Sequence, residues 1–215
     1  MVRARFSEIK ESWTIGVKNT ALVVIDMQRA YVDQGAPFEC VGAREMVPGI
    51  NELTAICRSL KIPVIFVKMS RRADLSDSDF MKDLEPKPAV GEMEAYEGKK
   101  GAEFCPGLNV DEDDYIVTKI RYSALIPGSS TLEPLLRGLG RDSFIICGVA
   151  TDVCVGTTTM DGMMLGFKVF FVGDLTASIS EERRKTALEV YDMHFAKVIT
   201  FNEVMKELAQ LKAGR

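Results

Sequence analysis

Six short runs of β-branched and apolar residues, with stretches of helical spacing between them, constrain this chain more than any other feature it carries. The runs fall at 21–25, 63–68, 115–118, 144–147, 168–172 and 197–200. Nearly all are apolar at odd and even positions alike, the pattern of parallel strands covered on both faces. Helical spacing falls at 47–60, 130–139, 152–165, 180–191 and 202–211. Ser129 and Ser130 stand before the second of these. Ser180, followed by Glu181 and Glu182, opens the fourth with acidic side chains where the helix dipole favours them. Gly140 and Gly166 stand where helices stop.

Repeated β–α units of this kind predict an α/β fold: a doubly wound, Rossmann-like three-layer αβα sandwich. The 215 residues, 47% apolar and 27% charged, suit one domain with one well-buried core. One region breaks the rhythm. From 71 to 114 the chain is charged, carries Pro86, Pro88 and Pro106, and shows no strand. It is longer than connecting loops usually run, and reads either as a solvated excursion or as a lid over a site.

Several function classes fall away on composition. A net charge of −4 with scattered lysines and arginines gives no attraction to phosphate backbones, so nucleic acid is not expected as a partner. No apolar run approaches a membrane span and the amino terminus lacks a signal-peptide stretch, so no membrane association and a cytoplasmic location are expected. Five cysteines without paired metal-type spacing read as reduced thiols. The single histidine, His194, excludes a zinc site built on two or more histidines, and no GxSxG elbow signals a serine triad. No cofactor and no metal are expected.

Three polar residues fall at or just beyond the carboxyl ends of candidate strands, the edge where sites of this architecture form: Asp26, Lys119 and Cys154. Cys154 follows its strand by the turn GVATDVC and should lie in the first turn of a helix, with Thr151 or Asp152 as cap. Unpaired amides there, and a nearby Lys119, should lower its thiol pKa, and Asp26 can move the proton. The same turn offers amides to a developing oxyanion. Spacing alone leaves the other reading open, in which Cys154 is a small core residue, as Cys147 is read within its strand.

The blocks VVIDMQ, KIRYSAL and GVATDVCVGTTTMDGMMLGFKVFFVGD together resemble the signatures of the isochorismatase-like cysteine hydrolases, a likeness spanning residues 20–200. The resemblance implies a six-stranded parallel sheet and a triad with Cys154 as nucleophile, Asp26 as general acid/base and Lys119 as orienting cation. It also implies an oxyanion hole from the amides of Ala150 and Cys154, and a cis peptide between Val149 and Ala150. Nicotinamidases of this family use a metal held by Asp and His, which one histidine cannot supply. Isochorismatases proper often lack the cysteine. GAPFECVGAREMVPGIN, RRAD and KIRYSAL look most like ureide and carbamoyl amidohydrolases acting on biuret, triuret or ureidoacrylate, so a small amide or ureide is the implied partner. A homodimer or homotetramer is the implied assembly.

Where many members read DMQND and then an aromatic, this chain reads DMQRAY: Tyr31 keeps the aromatic wall while Arg29 and Ala30 depart. Tyr31 either packs on substrate or lies under a loop. Gln28 either bonds substrate or braces its own turn. Arg71 and Arg72 either meet a substrate carboxylate or are solvated charge. His194, before the last strand, either contacts substrate or is exposed or satisfied elsewhere. Tyr122, a further pocket candidate, and Ser123 stand beside Lys119, placed to support it. Three competitors to an amidohydrolase remain: nicotinamidase-like or isochorismatase activity, a non-catalytic binding or assembly module, and a redox-sensing Cys154 without an obvious resolving thiol.

Overall fold

The computed structural model describes residues 2–78 and 92–214. Six strands, β1 (Thr20–Ile25), β2 (Val64–Met69), β3 (Tyr115–Lys119), β4 (Ser143–Val149), β5 (Lys168–Ala177) and β6 (Lys197–Ile199), form one sheet in the order β3-β2-β1-β4-β5-β6. Every neighbouring pair is parallel. The helices are α1 (Val2–Glu11), α2 (Arg29–Val32), α3 (Val47–Leu60), α4 (Leu132–Gly138), α5 (Gly156–Met164), α6 (Glu181–His194) and α7 (Phe201–Ala213). The expected three-layer α/β sandwich is what forms.

Alternation along β1 explains the layers. Leu22 and Val24 join Ile50, Leu53 and Cys57 of α3 and Val204 and Leu208 of α7 in one core. Ala21, Val23 and Ile25 join Leu132 and Leu136 of α4 and Ala187 and Tyr191 of α6 in the other. Side chains of a strand alternate between faces, so a strand apolar throughout must be covered twice. The strand β3 departs from that pattern. It is the edge, and Tyr115 and Ile116 stay exposed while Val117 and Lys119 are buried.

Helix starts carry the chemistry expected of them: Ser180 accepts from the Arg183 amide, and Thr200 with Glu203 forms a capping box. α1 and α2 had no counterpart in the periodicity, α1 because its stretch is mostly polar. β5 runs five residues beyond its apolar run. Gly173 and Asp174 interrupt the hydrophobic pattern, the register against β4 shifts there, and Thr176 and Ala177 resume pairing opposite Gly148 and Val149. Among the described residues no helix is long and apolar enough to cross a membrane.

Of the excursion at 71–114, residues 79–91 lie outside the described residues. Of the described remainder, 71–78 and 92–105 lie by the carboxyl edge of the sheet, and 107–114 follow α3, bonded to Asn51 and Arg58, to the start of β3. Tyr96, 1% exposed, bridges Arg71, and Phe104 bridges Gln28 and packs its ring 5.6 Å from Phe66.

The order reverses between β1 and β4, whose following segments leave toward opposite layers and open a crevice above their carboxyl ends. Gly148 makes the approach possible. At φ +111°, a Cβ there would stand 2.1 Å from the carbonyl oxygen of Ile25. Gly166, at φ +85°, has open space around the same position. We expect Gly148→Ala to lose about 3 kcal/mol of unfolding free energy and Gly166→Ala about 1 kcal/mol. Denaturant titration of both checks this; equal losses would contradict the packing account.

Candidate active site

Three strand ends deliver three side chains to one point. Asp26 follows β1 with φ +50°, a left-handed conformation that turns its carboxylate off the strand direction. Lys119 ends β3, two strands away, and strands spaced about 4.8 Å apart put β3 roughly 10 Å from β1. A four-carbon stem spans much of that gap. The Lys119 ammonium lies 2.8 Å from Asp26 Oδ2, with side-chain exposures of 0% and 1%. It also donates to Cys154 Sγ at 3.4 Å and to the Arg121 carbonyl at 3.1 Å.

Cys154 sits in a π-helical turn, Thr151–Val155, ahead of α5, where the Val155 amide donates to the Ala150 carbonyl. A π turn leaves one more amide without a partner at its start than an α turn does, and such turns gather at functional sites. The Val149–Ala150 peptide is cis. Val149, Ala150, Val153 and Cys154 form one wall of a cavity of about 170 Å³ whose other walls include Asp26, Tyr31, Met69, Arg71 and Tyr122. Pockets for drug-sized ligands run roughly 300–1,000 Å³, so this one suits a smaller molecule.

Burial dominates the electrostatics. It pushes the Asp26 carboxyl above its usual range, against the pull of Lys119. Burial alone would lower the Lys119 pKa, but the Asp26 charge and the hydrogen bonds to Asp26 and Cys154 outweigh it and the ammonium is held above the ordinary lysine value. The Cys154 thiol is pushed up to about 12 by burial, with Lys119 drawing it back and Asp26 adding to the rise. The expected low-pKa thiol is therefore corrected: a helix start and one lysine already paired to a carboxylate do not offset desolvation. At rest the cluster is an ion pair beside a neutral thiol.

Tyr31 and Arg71 line the cavity. Burial, with the Asp26 charge, holds the Tyr31 phenol well above its usual pKa, so it stays a hydrogen-bond donor. The Arg71 guanidinium lies 5.5 Å from the Tyr96 ring centre. Tyr122 lines the cavity too, and Ser123 braces the turn, accepting from the Leu125 and Ile126 amides.

Three candidates lie elsewhere. The Gln28 amide donates to the Met69 and Ala102 carbonyls and accepts from the Met69 amide, so its bonding is spent on bracing the strand ends. Arg72 is exposed and pairs with Asp74 at 3.5 Å. His194 is the exposed last residue of α6, beside Phe195. A helix leading into a parallel strand ends at the sheet's amino edge, so His194 lies away from the site and the substrate-contact alternative does not hold. Among the described residues no group of three or more His, Cys, Asp or Glu has the arrangement to hold a metal ion.

Some site residues had no place in the sequence reading. Asp152, weighed only as a cap, accepts from Ser178 Oγ and from Arg183 Nε at 2.6 Å, tying the nucleophile turn to the end of β5 and to α6. Phe38, Cys40 and Ile179 line the cavity. The first two stand in the GAPFEC stretch and the third just beyond β5, and strand-end position was the available signal for it.

Residues 20–203 match the family described as Isochorismatase domain. A probable inactive nicotinamidase of Arabidopsis thaliana is 31% identical over 89% of this chain and 97% of its own. A ureidoacrylate amidohydrolase of Azorhizobium caulinodans is 27% identical over 94% of this chain and 95% of its own. The crystal structure of a cysteine hydrolase from Pseudomonas syringae pv. phaseolicola superposes with a TM-score of 0.85 at 26% identity, covering 93% of this chain and 96% of that one.

The difference ultraviolet spectrum of wild type minus Cys154→Ser tests the electrostatic account. With the thiol pushed up, it should show no thiolate absorbance at neutral pH, gaining it only at strongly alkaline pH. Thiolate absorbance at neutrality would contradict the account.

Proposed function

The chain belongs to the isochorismatase family, and on that premise we propose a cysteine amidohydrolase that cleaves a C–N bond in a small amide, ureido or carbamoyl compound. The observation that carries the reading is the buried contact of Lys119 with both Asp26 and Cys154 at the floor of a small cavity. Since the thiol rests neutral, Asp26 accepts its proton as Sγ bonds to the carbonyl or carbamoyl carbon. The amides of Ala150 and Cys154 hold the oxyanion. As the tetrahedral carbon collapses, Asp26 returns the proton to the leaving nitrogen, and the C–N bond breaks. Water, deprotonated by Asp26, then attacks the carbonyl carbon of the adduct; the C–S bond breaks and Asp26 passes that proton to the sulfur, restoring the thiol.

Lys119 keeps its charge throughout. It holds Asp26 and the sulfur in line and offsets the negative charge that moves between them. Tyr31 donates toward the bound molecule, and Arg71 meets a carboxylate where the substrate has one. The reading uses no metal, because one histidine at the opposite edge of the sheet cannot join a metal-ligand set here.

The relative in Arabidopsis thaliana, named as probably inactive, motivates a second reading, a binding module without turnover. Against it stands the presence of Asp26, Lys119 and Cys154 together. Ammonia release from a panel of biuret, triuret, ureidoacrylate, N-carbamoyl amino acids and nicotinamide separates the two.

Cys154→Ala should reduce turnover of the best substrate roughly 10⁴-fold or more while circular dichroism stays unchanged. An active, folded Cys154→Ala protein would end the proposal. Asp26 acts as its carboxylate, so kcat/KM should fall as pH drops through the raised Asp26 pKa, placing the acid limb above 3.8. A limb at or below that value would contradict the assignment of Asp26 as base. Activity should survive dialysis against a chelator, and loss restored by added metal would favour the nicotinamidase-like alternative.

A further inference from the structure

Beyond the triad, the cavity is built mainly of apolar side chains, and three of them come from three different segments. Phe38 follows α2, Val153 stands in the nucleophile turn, and Ile179 follows β5. Phe38 is 42% exposed and Ile179 52%. Large apolar side chains that line a concave site and still face solvent are surface a ligand can cover.

Their placement is fixed rather than incidental. Ser178 joins all three segments: its carbonyl accepts from the Val41 amide at 2.8 Å, and its hydroxyl donates to Asp152. Arg183 grips the same Asp152 carboxylate through Nε at 2.6 Å and Nη2 at 2.5 Å. Phe38 is held further by its amide on the Ala30 carbonyl and by its ring 6.2 Å from Tyr31. Apolar side chains on so braced a frame are pre-organised for an occupant.

We propose that the molecule taken by this cavity carries an apolar arm beside its scissile carbonyl, seated on Phe38, Val153 and Ile179. The inference rests on the hydrolase reading and narrows it toward alkyl or aryl amides and carbamoyl compounds. A compact ureide such as biuret presents N–H and C=O groups along its whole length. Against these three side chains such groups lose water and gain no partner. An alkyl arm gains about fourfold in affinity for each methylene it buries.

Labelling of Cys154 tests the arm independently of turnover. The full-length protein is treated with iodoacetamide, N-butyl iodoacetamide and N-(iodoacetyl)urea, each rate divided by that of the same reagent with glutathione. Mass spectrometry of the Cys154 peptide gives the extent. The butyl reagent should exceed the urea reagent at least about tenfold. Ile179→Asn and Phe38→Ser, at exposed positions the fold tolerates, should collapse that ratio toward one, and Ile179→Leu should restore it. A urea reagent that labels as fast as the butyl one, or a ratio that survives both substitutions, overturns the inference. If the ratio appears as expected while no amide or ureide is hydrolysed, the apolar arm stands and the hydrolase reading falls.

Discussion

The ion pair between Lys119 and Asp26, sealed at the end of the sheet, is the contact on which the rest of the site depends. Two charges taken out of water cost several kcal/mol each, and their attraction offsets this only when geometry and remaining hydrogen bonds are good. Here both conditions are met on the lysine side, by Asp26 at 2.8 Å, the Arg121 carbonyl and the Cys154 sulfur. Losing either partner leaves a buried charge alone. That explains why so much local structure is devoted to the pair: a left-handed Asp26, a lysine long enough to pass over the end of β2, and Gln28 stitching the strand ends below it.

The pair also sets how the thiol can work. A cysteine activated in advance would need a cation to itself, whereas Lys119 already answers Asp26. The thiol therefore waits neutral, and its proton leaves only as the carbon–sulfur bond forms. One carboxylate then serves as base and acid in turn, because the buried Asp26 holds the proton it takes until the leaving nitrogen accepts it. The clamp of Asp152, Ser178 and Arg183 keeps the nucleophile turn and the outer wall of the cavity in register with that exchange.

Much of this was legible in the residues. The α3 boundaries at Val47 and Leu60 coincide with the periodicity, and the six strands lie where the β-branched runs place them. Asp26, Lys119 and Cys154 were marked by a topological rule, that side chains at carboxyl strand ends converge. What periodicity does not encode is desolvation, so the thiol was expected to be acidic when burial makes it the reverse. Direction of approach was the second blind spot. His194 stands near a strand in sequence, but at the end of a helix, which lies on the edge away from the site. Gln28 shows a third: an amide whose donors and acceptor are all used by backbone looks, in sequence, the same as one free to meet a ligand. The apolar wall leaves no trace in sequence, since Phe38, Val153 and Ile179 stand in separate segments and share no pattern.

The central claim is that the thiol of Cys154 becomes covalently bonded to the acyl group during the reaction, with the Lys119–Asp26 pair managing its proton. Acid-quenching the enzyme during turnover of its fastest substrate and measuring the mass of the Cys154 peptide tests this most directly. The account expects a thioester adduct with the mass of the acyl or carbamoyl group on Cys154, which hydroxylamine removes. An unmodified Cys154 peptide under saturating turnover, with hydroxylamine yielding no hydroxamate, would contradict it.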